Sequence, residues 1–212
     1  MTSPAPPLAS SSAPPLATAD LAPPRLSEVV LKTSRYAEMK EWYEQALGVR
    51  AYFEHVPPDW ERRRHGLTER LPLELKLCFI RVAHTFPYSQ TVAIFDYPDL
   101  QPPAATGSGL HHMQFRNATL IDLLLRYERL AALGVRPYKT FNHGPAMSFY
   151  YDDVDGNLVE FSASNFDTEA GFVGFMRSPA FAANPVGVAV DADALLARLK
   201  AGESAEQLGR IG

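Results

Sequence analysis

A pattern of strand and helix signals that occurs twice constrains this chain more than anything else in it. From Leu26 to Thr33, Val29, Val30 and Leu31 suit a strand. Met39, Trp42, Tyr43, Ala46 and Leu47 then recur at helical spacing, with Ser34 a candidate cap and Gly48 a stop. Strand signals return at 49–56, 73–82 and 91–95; in the second of these Leu73, Leu75, Leu77 and Phe79 alternate with Glu74, Lys76 and Cys78. The same order follows again. Residues 110–115 read as a strand, and Asn117 or Thr119 can cap the next helix. Leu120, Leu123, Leu124, Tyr127, Leu130 and Leu133 form its apolar stripe, and Gly134 ends it. Strands are expected at 136–141, 146–151 and 157–162, with a hairpin turn at Asp155-Gly156-Asn157. The order βαβββ, twice over, places the chain in the α+β class. Module one spans 25–97 and module two 109–163, within a domain of 25–177. Glu28 stands six residues before Ser34 and His112 seven before Thr119, so the two module-initial strands match near these residues.

The rest of the chain is punctuation. Residues 1–24 are mostly Pro, Ala, Ser and Thr; they have little to bury and are read as disordered. Residues 57–72, with Pro57-Pro58, three arginines and Pro72, form a polar excursion containing a loop or short helix. Residues 98–109 form an exposed connection. Residues 178–212 are a C-terminal helical tail with an amphipathic helix at 193–200, expected to cover a pocket or a partner subunit without chemistry of its own.

Composition narrows the function. A net charge of −4, with Arg62-Arg63-Arg64 set among acidic neighbours, leaves no footprint for nucleic acid. No apolar run is long enough to span a membrane, and no secretion signal opens the chain. The one cysteine, Cys78, sits in an apolar run and is read as a small buried hydrophobe. A single cysteine allows no internal disulfide, so a reducing, cytoplasmic compartment is expected.

Of six histidines, His55, His65 and His84 lie beside polar or loop residues and read as structural. His111-His112 differs, because neighbours on a strand face opposite sides. His112 then shares a face with Leu110 and Gln114; by itself it reads as a buried histidine satisfied by a hydrogen bond. Glu160 changes that reading. It lies between apolar residues in Asn157–Phe161, where an unpaired carboxylate costs several kcal/mol and calls for a cation or a donor. Glu28, on the matching strand of module one, is the third candidate. Glu28, His112 and Glu160 brought together make a three-ligand metal site with open positions. His143 and Tyr150 form a second cluster. Tyr150 lies ten residues before Glu160 across a hairpin, where a His and a Tyr can move a proton and stabilise an oxyanion.

The runs beginning at Glu28 (EVVLKT), Gly109 (GLHHMQF), Asn142 (NHGPAMSFYYDD) and Asp155 (DGNLVEF) resemble single-domain relatives of the extradiol catechol dioxygenases. These belong to the vicinal-oxygen-chelate family, with the glyoxalases, and the likeness spans roughly residues 25–170. The resemblance implies paired βαβββ modules in an incomplete barrel around a metal. It implies Fe(II) held by two histidines and a glutamate, a small aromatic substrate chelating through two oxygens, and O₂ beside it. His112 and Glu160 match two ligands, His143 the acid/base histidine, and Tyr150 the tyrosine that assists the oxygen intermediate. Where the family usually has the other histidine this chain has Glu28. The shell becomes harder and more anionic, which favours Mn, Mg, Zn or Ni somewhat more. Family members with carboxylate-rich shells transfer protons without O₂. Three functions therefore stand: an extradiol-type dioxygenase acting on a catechol-like aromatic; a non-oxidative metal-dependent isomerase, lyase or cyclase; and a metal-free small-molecule binding protein. The family also implies a homodimer.

Overall fold

The computed structural model describes residues 24–65, 74–101 and 109–210. The segment expected to be disordered lies, up to Pro23, outside them, as do parts of the 57–72 excursion and of the 98–109 connection.

Module one consists of β1 (Glu28–Thr33), α1 (Tyr36–Leu47), β2 (Phe53–His55), β3 (Leu77–Thr85) and β4 (Tyr88–Asp96), with the short α2 (Trp60–Arg63) between β2 and β3. Module two consists of β5 (Met113–Arg116), α3 (Leu120–Ala132), β6 (Lys139–Asn142), β7 (Ala146–Asp152) and β8 (Leu158–Ser164). The βαβββ order is thus present twice. The first sheet runs β1-β4-β3-β2, with β1 parallel to β4 and the other pairs antiparallel. The second runs β5-β8-β7-β6-β9, with β5 parallel to β8. Both sheets are open. After β8 come α4 (Glu169–Met176), α5 (Pro179–Ala183), β9 (Val188–Ala189), α6 (Ala192–Lys200) and α7 (Ala205–Gly209). The tail therefore contributes a strand as well as helices, and β9 pairs antiparallel with β6. No helix among the described residues is long and apolar enough to cross a membrane.

The two long helices follow their apolar spacing. Met39, Trp42, Tyr43 and Ala46 of α1 are buried, as are Leu120, Leu123, Leu124, Tyr127 and Leu130 of α3. Both sets join one core with Ile80 and Val92 of the first sheet and Phe149 and Phe161 of the second. Their ends differ. Thr119 caps α3 through a reciprocal capping box with Asp122. The expected cap of α1, Ser34, is not one: Arg35 holds the N-cap position without a side-chain cap. The Thr33 hydroxyl already accepts the Arg35 N–H at 2.8 Å, so the chain turns one residue late. Gly48 ends α1 at φ 75°, returning its N–H to Glu44. Asp155-Gly156-Asn157 does form part of the turn between β7 and β8, but the loop is longer than a two-residue hairpin. The last ladder pair is Asp152–Leu158, and Asp153 inside the loop accepts the N–H groups of Asp155 and Asn157, each at 2.9 Å.

Polar bonds lock the modules together. Arg126 and Arg129 of α3 donate to the last carbonyls of α1, those of Ala46 and Gln45, at 2.5 and 2.6 Å. These carbonyls carry the negative end of the helix and have no partner within it. Tyr43 donates to the buried carboxylate of Asp153 at 2.9 Å, linking α1 to the β7–β8 turn. Asp153→Ala strands that hydroxyl and two loop N–H groups. Since bonds to a charged group contribute about 1.5–3 kcal/mol, we expect a loss of about 2–4 kcal/mol in urea unfolding, against little change for Asp152→Ala on the exposed side.

Candidate active site

The strand order of the second sheet sets its chemistry in a line. Gln114 on β5 pairs in register with Glu160 on β8, and Glu160 pairs with Tyr150 on β7. Paired residues on neighbouring strands present their side chains on the same face. Glu160 is 4% exposed, and its two oxygens are separately engaged. Oε1 accepts from the Gln114 amide at 2.8 Å, and Oε2 stands 3.1 Å from His112 Nε2. On the other side, the Tyr150 hydroxyl lies 2.9 Å from His143 Nε2, and His143 Nδ1 lies 2.6 Å from the Val186 carbonyl. The polar row thus runs from His112 and Gln114 through Glu160, Tyr150 and His143 to Val186.

Directions along this row follow from elementary inventory. A carbonyl only accepts, so His143 Nδ1 carries the proton facing Val186. In the neutral ring Nε2 is then an acceptor, to which Tyr150 can donate. Burial, followed by the nearby Glu160 carboxylate, raises the Tyr150 hydroxyl above its ordinary value, so it stays protonated near neutrality. The result is a phenol facing an imidazole nitrogen, beside a buried carboxylate.

His112 is placed differently from the expected strand position. β5 begins at Met113, so Leu110, His111 and His112 precede it. The alternation rule does not govern the pair, and the Nδ1 atoms of His111 and His112 lie 2.7 Å apart instead of on opposite faces. His112 is half-buried and its ring stands 6.4 Å from that of Tyr150.

Glu28 opens β1 on an exposed stretch of the first sheet. It lines, with Val29, Thr91, His112, Gln114 and Phe115, a cavity of about 250 Å³ between the two module-initial strands. The two modules thus bring Glu28 and His112 to one cavity. Among the described residues, however, no three His, Cys, Asp or Glu side chains gather closely enough to hold an ion. His112 and Glu160 do suit a divalent cation: an imidazole nitrogen and a buried carboxylate oxygen converge, and Gln114 orients the carboxylate. The repeat also shows why the last strand of module one offers no further donor. Val30 pairs with Ala93 as Gln114 pairs with Glu160, so module one carries a methyl group where module two carries the carboxylate.

The other histidines stand apart. His65 meets Asp99 at 2.7 Å, and His84 is exposed on β3. Cys78 is fully buried, as its apolar surroundings require. Two residues of the row had little sequence signal. Gln114 was legible as sharing the face of His112 but not as the donor that holds Glu160. Val186 acts through its backbone, and only the neighbouring glycine hints at a special conformation.

Residues 25–161 match the model of the Glyoxalase/Bleomycin resistance protein/Dioxygenase superfamily. The chain is 34% identical over 189 residues to biphenyl-2,3-diol 1,2-dioxygenase 2 of Rhodococcus globerulus, covering 88% of this chain and 87% of that protein. It is 29% identical over 187 residues to biphenyl-2,3-diol 1,2-dioxygenase 3 of the same organism, covering 87% of each. A solved glyoxylase/bleomycin resistance protein/dioxygenase domain from Frankia sp. EAN1pec is 18% identical, with a TM-score of 0.49 over 68% of this chain and 99% of that one. With a family model spanning most of its length and a dioxygenase relative above 30% identity, the chain belongs to the Glyoxalase/Bleomycin resistance protein/Dioxygenase superfamily.

Proposed function

We propose that this protein is a ring-cleaving dioxygenase of the extradiol type, acting on a vicinal diol of an aromatic such as a biphenyl-2,3-diol. One observation carries the reading: the hydrogen-bonded Tyr150–His143 pair sits directly across the ladder from Glu160, itself 3.1 Å from His112. Proton-handling groups next to two converging metal donors are what oxidation of a diol calls for, and the dioxygenase relatives support the choice. His112 and Glu160 would hold a divalent ion, with Glu28 closing the shell from β1. Fe(II) is the preferred metal, and Mn, Zn or Ni are alternatives because a second carboxylate hardens the site. Bound there, the ion supplies Lewis acidity toward the two oxygens of the diol.

The chain's own residues do the rest. His143 Nε2 would take the proton through Tyr150: the phenol passes its own proton to Nε2 and receives that of the approaching diol hydroxyl, after which its O–H donates to the oxygen on which negative charge accumulates. Gln114 keeps the Glu160 carboxylate from turning away. Phe141, whose ring stacks on His143 at 5.7 Å, and Tyr138, 6.4 Å from Tyr150, form an aromatic wall suited to a flat substrate.

The test is O₂ uptake by Fe(II)-reconstituted protein given 2,3-dihydroxybiphenyl. The expected result is incorporation of both atoms of labelled O₂ into a ring-opened product. Turnover of a substrate without O₂, with solvent deuterium entering it, would replace this reading by the non-oxidative one. Glu28 favours that alternative, since a carboxylate in place of the usual histidine makes the shell resemble those that stabilise enolates. Tight binding of an aromatic by metal-free protein, unchanged in Glu160→Ala, would point to a binding protein.

A further inference from the structure

We propose that the C-terminal tail sets the proton position of His143, through the Val186 carbonyl, and so serves as a positioning element of the active site. The inference rests on the proposed function in assigning His143 its role, but the tail's hold on the ring stands on geometry alone.

The tail returns to the second sheet as β9, pairing Val188 with Asn142 and Ala189 with Phe141. Immediately before this strand, the Val186 carbonyl meets His143 Nδ1 at 2.6 Å. That carbonyl does not hang on a loose loop. Asn184 brackets Gly187 with two bonds of 3.0 Å, donating to its carbonyl and accepting from its N–H. Gly187 adopts φ +83°, and a Cβ there would lie 2.1 Å from the Asn142 carbonyl oxygen and 2.5 Å from the His143 Cα. These neighbours are backbone atoms of the segment that bears the histidine and cannot swing aside. Glycine lets the tail lie flat against residues 142–143, close enough for the preceding carbonyl to reach the ring. Further along, Thr140 donates to the Val190 carbonyl at 2.5 Å and Asn142 donates to that of Gly209 at 2.9 Å. The tail is thus fastened to the segment bearing His143 at several points after the contact.

The consequence is chemical. A neutral imidazole has two tautomers, and the bond at one nitrogen selects which is present. The Val186 carbonyl fixes the proton on Nδ1 and leaves the Nε2 lone pair facing Tyr150. Without it, the other tautomer places an N–H against the Tyr150 hydroxyl, and the ring can no longer accept the substrate's proton.

The experiment is nitrogen-15 NMR of the imidazole in the full-length chain, with His143→Gln to assign the signal, alongside kcat and KM. Wild type should show the proton on Nδ1. Gly187→Ala should give a mixture of tautomers and lower kcat about 10–100-fold with KM little changed, the scale of loss when a group orienting a reactive residue is removed. Asn184→Ala, which leaves the backbone free of clash, should move both readouts the same way by a smaller factor, and decides the matter if Gly187→Ala fails to fold. A wild-type proton on Nε2, or an unchanged tautomer in a folded variant, would overturn the proposal. The NMR result does not depend on turnover, so a protein that consumes no O₂ but shows the Nδ1 tautomer, lost in the variants, sinks the dioxygenase reading and leaves the tail's role intact.

Discussion

Glu160→Gln is expected to lose its divalent metal and, with it, all measurable turnover. The substitution keeps the volume of a buried side chain on β8 but removes its charge. It also sets an amide against the donating amide of Gln114 and against His112 Nε2. Groups that merely orient a ligand shift metal affinity by about 10–100-fold, so losing the carboxylate itself should cost more than about 100-fold. Calorimetric titration with Mn(II) or Zn(II) reads this without relying on activity, and thermal unfolding of the metal-free protein reports whether the fold is kept. Glu28→Gln separates the roles of the two carboxylates. Glu28 is exposed on the first sheet and lines the same cavity as His112, so in the proposed centre its loss should weaken binding by a smaller factor. If Glu160→Gln retains stoichiometric metal, the His112–Glu160 pair is a structural contact and the proposed centre is misplaced.

Much of this molecule was legible in its residues because its signals are periodic. The stripes of α1 and α3 have the spacing of one buried helical face, and each helix lies where that spacing put it. Glu160 stood out because a carboxylate among Val, Leu and Phe needs a partner, and it has two. Tyr150 was placed near it by the hairpin, and the ladder pairs the two directly. What escaped notice is what one-dimensional pattern does not encode. Asp153 looks like one more polar turn residue, yet it is buried and ties the turn to Tyr43, 110 positions earlier. His111 and His112 were assigned opposite faces by strand alternation, but the strand starts three residues later than expected, at Met113, and the rule never applied. The Val186 carbonyl is backbone and carries no side-chain signal at all. Glu28 marks the middle ground: repeat spacing paired it with His112, and the fold puts both on one cavity, but reach across that cavity depends on packing between modules.

Tyr150→Phe should leave metal affinity near wild type while lowering kcat by about 100–1000-fold, the range found when a proton-transfer group or an oxyanion donor is removed. The phenyl ring preserves the packing against His112 and His143, whose rings lie 6.4 and 6.2 Å away, so KM should change little. Only the hydroxyl is lost, and with it the bond to His143 Nε2. His143→Gln should cause a loss of similar size, because each group depends on the other: the phenol passes its proton to the imidazole, takes that of the substrate, and then donates where charge develops. Groups acting as one unit are not additive. The double variant should therefore be only slightly slower than either single one, rather than slower by the product of the two factors. Single-turnover kinetics on the metal-loaded variants would show this. Independent, multiplying losses would mean that the 2.9 Å contact is incidental, with each side chain touching the substrate alone; two singles with wild-type kcat would remove both from the chemistry.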